Sequence, residues 1–559
     1  MKRLIVCLLL LAMLAFALVS CGKKKTEATE APTASAGTTD KWEPLSGEIR
    51  AFPSDARTLR IELSDYENAE KDSKNDLYVA GPDENKLDVA GTIGKMVYER
   101  NKTAKERLGV TVTYEYWNSP DLGWENQAPE IVRLVKAENS DAPDLFVNMI
   151  YDLGNATLQG VFKDIWSIPG SYFDFEAEGW MNEWMTSMSL TGDRAYILAG
   201  DYFLDIVRAF GVLPFNADLM DAKGSNLAKA LLGADLAEGE TMSERFFDYV
   251  EAGRWTWDSL KLLCEAVWDD KGTAGQTDIY DTLGILGNAQ TGMTTSFYLY
   301  SANEPLFETK TVKDENDPRN GKTWIYYAED STALGGIFNA VANVFKAKGA
   351  LATCASADNG ATAENPSTAY HWIKFGQGET LFAGACVMGA IELDAFQDMD
   401  DLFSVVPLPK VSADKNYNTI IHNVGDAGAI SVKTAPDKAK VLSAYLQYCT
   451  EHSTEIRRHF QEVVVKYKNT VYNQGTDRML DLIYSSVVNG RDKSIEDLMR
   501  GDNTCKGLQW HNFMKMDGVL DHDASYIATK YKSARDTKQA YLDQVLEIWY
   551  DLPTSKTEE

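Results

Sequence analysis

The amino-acid sequence predicts an α/β protein built on a mainly parallel β-sheet. Three observations point there. Apolar residues at helical spacing alternate along the chain with short strand-like runs. One of those runs, Leu145-Phe146-Val147, is unbroken by any polar residue, the mark of a strand covered on both faces. The chain's 559 residues, 44% hydrophobic and 25% charged, are enough to bury substantial cores. The same composition excludes a collagen, a disulfide-dense mini-protein and a wholly disordered chain.

The elements follow in order. Val89, Ile93, Met96, Val97, Arg100, Ala104 and Leu108 recur at helical spacing, and Gly109 supplies a C-terminal stop. Val110, Val112, Tyr114 and Tyr116 alternate as a strand. Ile131, Leu134 and Val135 mark a short helix, and Asp141-Ala142-Pro143-Asp144 a turn before the buried strand at 145–147. After Gly200-Asp201-Tyr202, Phe203 to Phe215 is a long apolar stretch too mixed for one surface strand. Thr256 can cap a helix through Leu260, Leu263 and Val267, with Asp258 favourable in its first turn. Leu306 to Tyr327 reads as a β-hairpin turning near Asp314–Gly321. Thr380–Met388 reads as a buried strand, and Ser404–Lys410 as a strand ended by two prolines. Ala439–Cys449 is an amphipathic helix. Met479, Leu480, Ile483 and Val487 continue the helical period, and a last helix carries Tyr541, Leu542, Val545, Ile548 and Trp549.

The first residues read as an address rather than as structure. Lys2 and Arg3 precede an apolar run, Leu4–Val19, of roughly 16 residues, against about 20 for a membrane span. Leu18-Val19-Ser20-Cys21 resembles the lipobox of bacterial lipoproteins, which implies cleavage after residue 20 and lipidation of Cys21. From Gly22 to about Ser46 the chain is Lys, Thr, Ala, Glu, Ser and Pro without an apolar period. It reads as a flexible tether, residues 21–47 with the lipidated Cys21. No later run is long and apolar enough to span a bilayer, so membrane attachment is expected through the lipid alone.

Charge and cysteine narrow the function further. Lys and Arg number 55 against 83 Asp and Glu, a net charge of −28. Such a surface repels phosphate backbones, so nucleic acid is not an expected partner, although a local basic pocket stays open. Beyond Cys7 and Cys21, the remaining cysteines are Cys264, Cys354, Cys386, Cys449 and Cys505; an odd, scattered set forms no disulfide framework. There is no CxxC, HExxH, GxSxG or GxxxxGK[ST], and no cofactor or structural metal is expected.

Across the mature chain a set of short motifs then falls in order. They are Arg100 with Leu108-Gly109-Val110, Ala142-Pro143-Asp144-Leu145, and Leu158-Gln159-Gly160-Val161-Phe162-Lys163-Asp164. Phe215-Asn216-Ala217-Asp218-Leu219 and Gly253-Arg254-Trp255-Thr256-Trp257-Asp258 follow, then Phe375–Phe382 and Pro407-Leu408-Pro409-Lys410. In this the sequence resembles the family 1 extracellular solute-binding proteins of bacterial ABC importers, the maltose-binding-like group, in lipoprotein form. The resemblance implies a two-lobed periplasmic-binding-protein-like fold, with several interlobe crossings and a ligand cleft between the lobes. Lobe 1 would hold residues 48–208 and 408–453, and lobe 2 residues 209–407 and 454–559. The crossings would fall near Arg208–Phe210 and Val405–Pro407, with a return near Ser453.

The implied function is that of a lipid-anchored extracytoplasmic receptor. It would capture a small ligand, an oligosaccharide, by lobe closure and deliver it as a monomer to the permease subunits of an ABC transporter. It would not be an enzyme; a secreted glycoside hydrolase and a polysaccharide adhesin are the alternatives. Sugar binding needs flat aromatic faces and planar polar groups, and the resemblance directs attention to particular positions. Asn148, Tyr151 and Asp152 follow the buried strand, and Asp205 and Arg208 precede the first crossing. Gln290, Phe297 and Tyr300 fall where the family presents aromatic contacts. Glu392 and Asp394 stand where some relatives carry a tryptophan. His422 sits before Gly425 in the returning lobe-1 segment, and Trp510 belongs to the region that often completes the cleft. Core packing is the plain alternative for Phe297, a structural role for His422, an intra-lobe ion pair for Asp205 with Arg208, and a solvated helix start for Glu392 and Asp394. The Asp269-Asp270-Lys271-Gly272 loop matches an acidic calcium loop of some relatives, but Lys271 takes a ligand position, so no calcium site is expected.

Overall fold

The structure, a computed structural model, describes residues 40–65, 76–118, 127–288, 292–353, 370–462, 473–487, 491–499, 510, 514 and 522–553. Cys21, Gln290, Cys354 and Cys505 lie outside the described residues. By packing, residues 46–559 form one unit and residues 1–45 another. The chain is already helical in α1 (Trp42–Arg50), inside the stretch expected as tether. Asp40 explains the early start, because its carboxylate accepts the Trp42 N–H at 3.0 Å and caps the first turn.

The first sheet is built from β1 (Thr58–Asp65), α2 (Gly91–Leu108), β2 (Thr111–Asn118), α3 (Gln127–Lys136) and β3 (Leu145–Met149). Strand β1 lies between β2 and β3, parallel to both, with Ile61 opposite Tyr114 and Leu145. All of β3 is buried, as an unbroken apolar run requires. Helix α2 ends where the sequence places its stop: Gly109 adopts φ 66°, a left-handed conformation that glycine takes without a Cβ clash, and donates to the Lys105 carbonyl. Helix α4 (Ile150–Thr157) follows β3 directly.

The apolar stretch 203–215 divides into a four-residue helix, α5 (Asp205–Arg208), and β4 (Gly211–Asn216), which opens the second sheet. Helix α6 (Trp257–Val267) starts as expected, with the Thr256 hydroxyl accepting the Ser259 N–H at 3.3 Å. Next come β5 (Leu283–Asn288), α7 (Gly292–Tyr300), and the hairpin of β6 (Phe307–Thr311) with β7 (Thr323–Tyr327). Helix α8 (Thr332–Phe345) leads to β8 (Ala350–Thr353), β9 (Thr380–Ala383), β10 (Cys386–Val387) and β11 (Phe403–Val406). The sheet order is β10-β4-β9-β5-β8, with β11 also paired to β4. Strand β5 is parallel to β8 and β9, while β4 is antiparallel to its neighbours. Its core is aromatic: Trp255 stacks on Phe382 at 5.5 Å, and Phe215 packs edge-on against Phe246 and Phe247.

Strand β12 (Asp426–Ile430) then returns to the first sheet, antiparallel to β3, giving the order β12-β3-β1-β2. Helices α9 (Pro436–Glu451) and α10 (Thr454–Phe460) pack on α2. Helix α11 (Asn473–Ser485) packs on β11. Helix α12 (Arg491–Met499) touches α4 and α7, and α13 (Ala524–Asp551) lies on α8 and β7. The expected final helix is therefore the end of a 28-residue one. Among the described residues no helix is long and apolar enough to cross a membrane, and the described cysteines, Cys264, Cys386 and Cys449, are free and buried.

Candidate functional site

The two sheets are joined where the chain passes between them, and there the passages pair with each other. Leu198 still bridges to Gly428 beside the first sheet, and by Gly211 the chain is in β4 of the second. Coming back, Phe210 pairs antiparallel with Ile421. Gly211 donates to the Ile420 carbonyl at 2.8 Å, and His422 to the Ala209 carbonyl at 2.9 Å. The outward passage lies between Leu198 and Gly211. The return runs through Ile420–Gly425 rather than Val405–Pro407, because residue 410 is still held on the second sheet's side: Lys410 pairs beside Thr256 and its ammonium donates to the carbonyl of Ala413. Glycine makes the passages close. A Cβ on Gly211 would lie 2.7 Å from the Phe297 ring, and one on Gly425 2.7 Å from Ala209.

Charged groups line the outward passage. Helix α5 contacts β12 on one side and the turn Met388–Glu392, which follows β10, on the other. Its Arg208 donates to Asp205 at 2.5 Å and to Glu392 at 2.8 Å, so three of the sequence-selected residues meet in one ion-pair chain. Burial works against the guanidinium charge, but Asp205 foremost among its neighbours more than offsets this and holds Arg208 firmly protonated. Asp205 also accepts the Asp426 N–H at 3.3 Å, fastening α5 to the start of β12.

Strand register brings a second group to the same edge. Because β12 runs antiparallel to β3, its first residue, Asp426, sits beside Met149 at the end of β3. Asn148 is fully buried and donates to Gln127 at 2.6 Å. Asp152, equally buried, accepts the Ala128 N–H at 2.8 Å and so caps α3. Tyr151 is buried beside it, its N–H on the Asn423 carbonyl at 3.1 Å. On β1 beside these groups stands Glu62, whose two carboxylate oxygens have no hydrogen-bond partner among the described residues. Burial first, then the charge of Asp426, pushes its carboxyl well above the ordinary carboxylate range.

The other selected residues are dispersed. Phe297 and His422 meet edge-on at 5.8 Å against the paired passages, both buried. Tyr300 is buried, its carbonyl accepting from Asn418 at 3.0 Å. Asp394 is exposed at the start of a short helix. Trp510 is buried far along the second-sheet side, stacked on Tyr531 at 4.7 Å under the Lys538 ammonium at 4.3 Å.

Sequence reasoning missed a neighbouring network. Asp201, fully buried, accepts from Arg457 at 3.0 Å and from the Tyr484 hydroxyl at 2.8 Å, and the guanidinium lies 3.8 Å from the Tyr484 ring centre. Arg100 stacks on Tyr202 and donates to Ser453 at 2.9 Å, at the position expected for the third passage. Partners this far apart in the chain leave no local signal; the Gly200-Asp201-Tyr202 break was the one trace. The acidic loop near Asp270 is closed by its own backbone: Asp281 accepts N–H groups of Lys271 and Gly272 at 2.9 and 3.0 Å, and Asp278 that of Thr273 at 2.7 Å. Among the described residues no group of three His, Cys, Asp or Glu could hold a metal ion.

No family model and no curated protein matches this sequence. Solved structures do resemble the chain. One is the GacH receptor of Streptomyces glaucescens GLA.O, described unliganded and in complex with acarbose and an acarbose homolog. It is 12% identical over 85% of this chain and 98% of that one, at a TM-score of 0.42. Another is a family 1 extracellular solute-binding protein from Bifidobacterium longum subsp. infantis, 14% identical over 86% of this chain and 99% of that one, at a TM-score of 0.43.

Proposed function

We propose that the chain is a lipid-anchored, extracytoplasmic solute-binding receptor. It takes up a small ligand, an oligosaccharide, between its two sheet-centred halves and passes it unchanged to an ABC transporter permease. One observation carries this reading: Arg208 links Asp205 on the first sheet's side to Glu392 on the second's, beside the paired strands that join the two. A polar group shared by both halves at a narrow articulation is what ligand-driven closure requires, because only contacts that differ between open and closed states shift their balance. The ordered motifs and the lipobox-like Cys21 support the same reading from the sequence side.

The geometry suits hydroxyl recognition. Arg208, Asp205 and Glu392 offer donors and acceptors in fixed directions, and Asn148 with Asp152 adds a second polar set at the end of β3. Hydrogen bonds within the Arg208 set, and from Asn148 to Gln127 and Ala128 N–H to Asp152 in the other, hold these groups in place before a ligand arrives, which lowers the entropy lost on binding.

The test is a panel of neutral oligosaccharides measured by thermal shift and small-angle scattering. A true ligand at 100 times its Kd adds about 2.7 kcal/mol of stability and compacts the molecule. Arg208→Met should remove most of that response. A chain that neither compacts nor gains stability with any member, or that cleaves one, is not such a receptor.

A further inference from the structure

Away from the passages, helix α2 and edge strand β2 enclose a groove of about 600 Å³, within the range of small-molecule sites. Its lining sets two lysines, Lys102 and Lys105, beside two carboxylates, Asp83 and Glu106, a local balance of charge in an otherwise acidic molecule. Helix α2 carries five basic residues against two acidic ones, and two of the bases, Lys102 and Lys105, face the groove.

Each ammonium lies by a tyrosine ring that also lines the groove. Lys105 is 5.4 Å from the centre of Tyr114, and Lys102 is 5.9 Å from that of Tyr98. Lys105 is partly buried, yet among the described residues no carboxylate lies within ion-pair distance of it. Burial accordingly lowers its pKa. Asn101 forms the floor, its amide donating to the carbonyls of Val79 and Ala80 at 2.8 Å and to the Tyr114 hydroxyl at 3.3 Å, which fixes that ring. Tyr114 is braced from behind by Tyr445, hydroxyl to hydroxyl at 3.1 Å.

We infer that this groove is a second binding site, one that takes an acidic sugar residue. The carboxylate of a uronic acid would pair with Lys105 and Lys102, and the ring's C–H face would lie on Tyr98 and Tyr114. An ammonium partly withdrawn from water without a counter-charge is costly, and an incoming carboxylate relieves that cost. Flat rings beside each cation favour a ligand that joins a negative charge to an apolar face, which inorganic anions lack. The Glu106 side chain at the rim supplies an acceptor for hydroxyls. The site goes beyond the proposed receptor function and shares no residue with it.

Calorimetric titration of the full chain with a galacturonate trimer tests the site, with the methyl-esterified trimer and an acidic tripeptide as controls. The galacturonate trimer should bind saturably, and Lys105→Gln should weaken it by at least about tenfold. Lys105→Arg should restore most of the affinity, Tyr98→Ala should lower it, and the melting temperature should stay unchanged in each. Arg208→Met should leave this titration untouched, which separates failure here from failure of the receptor reading. The inference is overturned if the galacturonate trimer does not bind or if Lys105→Gln binds it equally. It is also overturned if the esterified trimer or the tripeptide binds as well, or if Arg208→Met abolishes the binding.

Discussion

In the second sheet, Phe382 stacks on Trp255 and meets Phe246 edge-on; at comparable depth the first sheet holds Glu62, Asn148 and Asp426, with Asp152 on the helix that follows β3. Both regions are buried, but they are stabilised by different means. Aromatic packing gains from area and shape, and tolerates no missing ring. A buried polar set gains little from area and depends on every partner being present. The contrast teaches where to look for binding: the polar side borders the passages between the sheets, and the aromatic side is scaffold.

The sharpest way to break this comparison is Phe382→Ala. It should cost about 4 kcal/mol in urea unfolding, because three ring contacts are lost and a cavity remains. A loss below about 1 kcal/mol would mean that the aromatic side is not scaffold. Next, Arg457→Met leaves Asp201 buried without its cation and should cost about 3 kcal/mol. Adding Asp201→Asn should recover much of that loss, and a double-mutant cycle reads the coupling.

A third change should stabilise. Glu62→Gln removes a buried carboxyl that has no hydrogen-bond partner among the described residues, and should gain about 2 kcal/mol at neutral pH. The sign follows from the raised carboxyl. The folded state keeps its proton where the unfolded chain has lost it, so the folded state binds more protons and stability falls as pH rises. The gap between variant and wild type should therefore open upward from about pH 4, where a free glutamate ionises, and close below it. Urea midpoints from pH 4 to 8 measure it. The smallest effect is Thr256→Ala, which removes the cap of α6 and should cost about 1 kcal/mol on the aromatic side alone, without changing ligand response.

Local chemistry made much of the fold legible. Gly109 stops α2, Thr256 caps α6, and the Leu306–Tyr327 hairpin and the buried 145–147 strand lie where periodicity puts them. No local periodicity marks where the chain passes between the sheets, and a crossing near Arg208–Phe210 is an expectation of the family resemblance alone. Long-range pairings were not legible at all: Asp201 meets Arg457 across 256 residues, and nothing near either one announces the other. The first half of α13 escaped notice because Ala524–Lys538 is mostly polar and shows a weak apolar stripe. Of the selected site residues, Asp205, Arg208 and Glu392 converge, whereas Trp510 sits with Tyr531 and Lys538, because burial of a large ring on a neighbouring helix satisfies it.

The bare backbone of Gly211 against the Phe297 ring has a mechanical meaning. A flat aromatic surface resting on peptide has nothing to catch on, like a washer under a bolt head. A single methyl at residue 211, wedged 2.7 Å from that ring, would turn the washer into a doorstop.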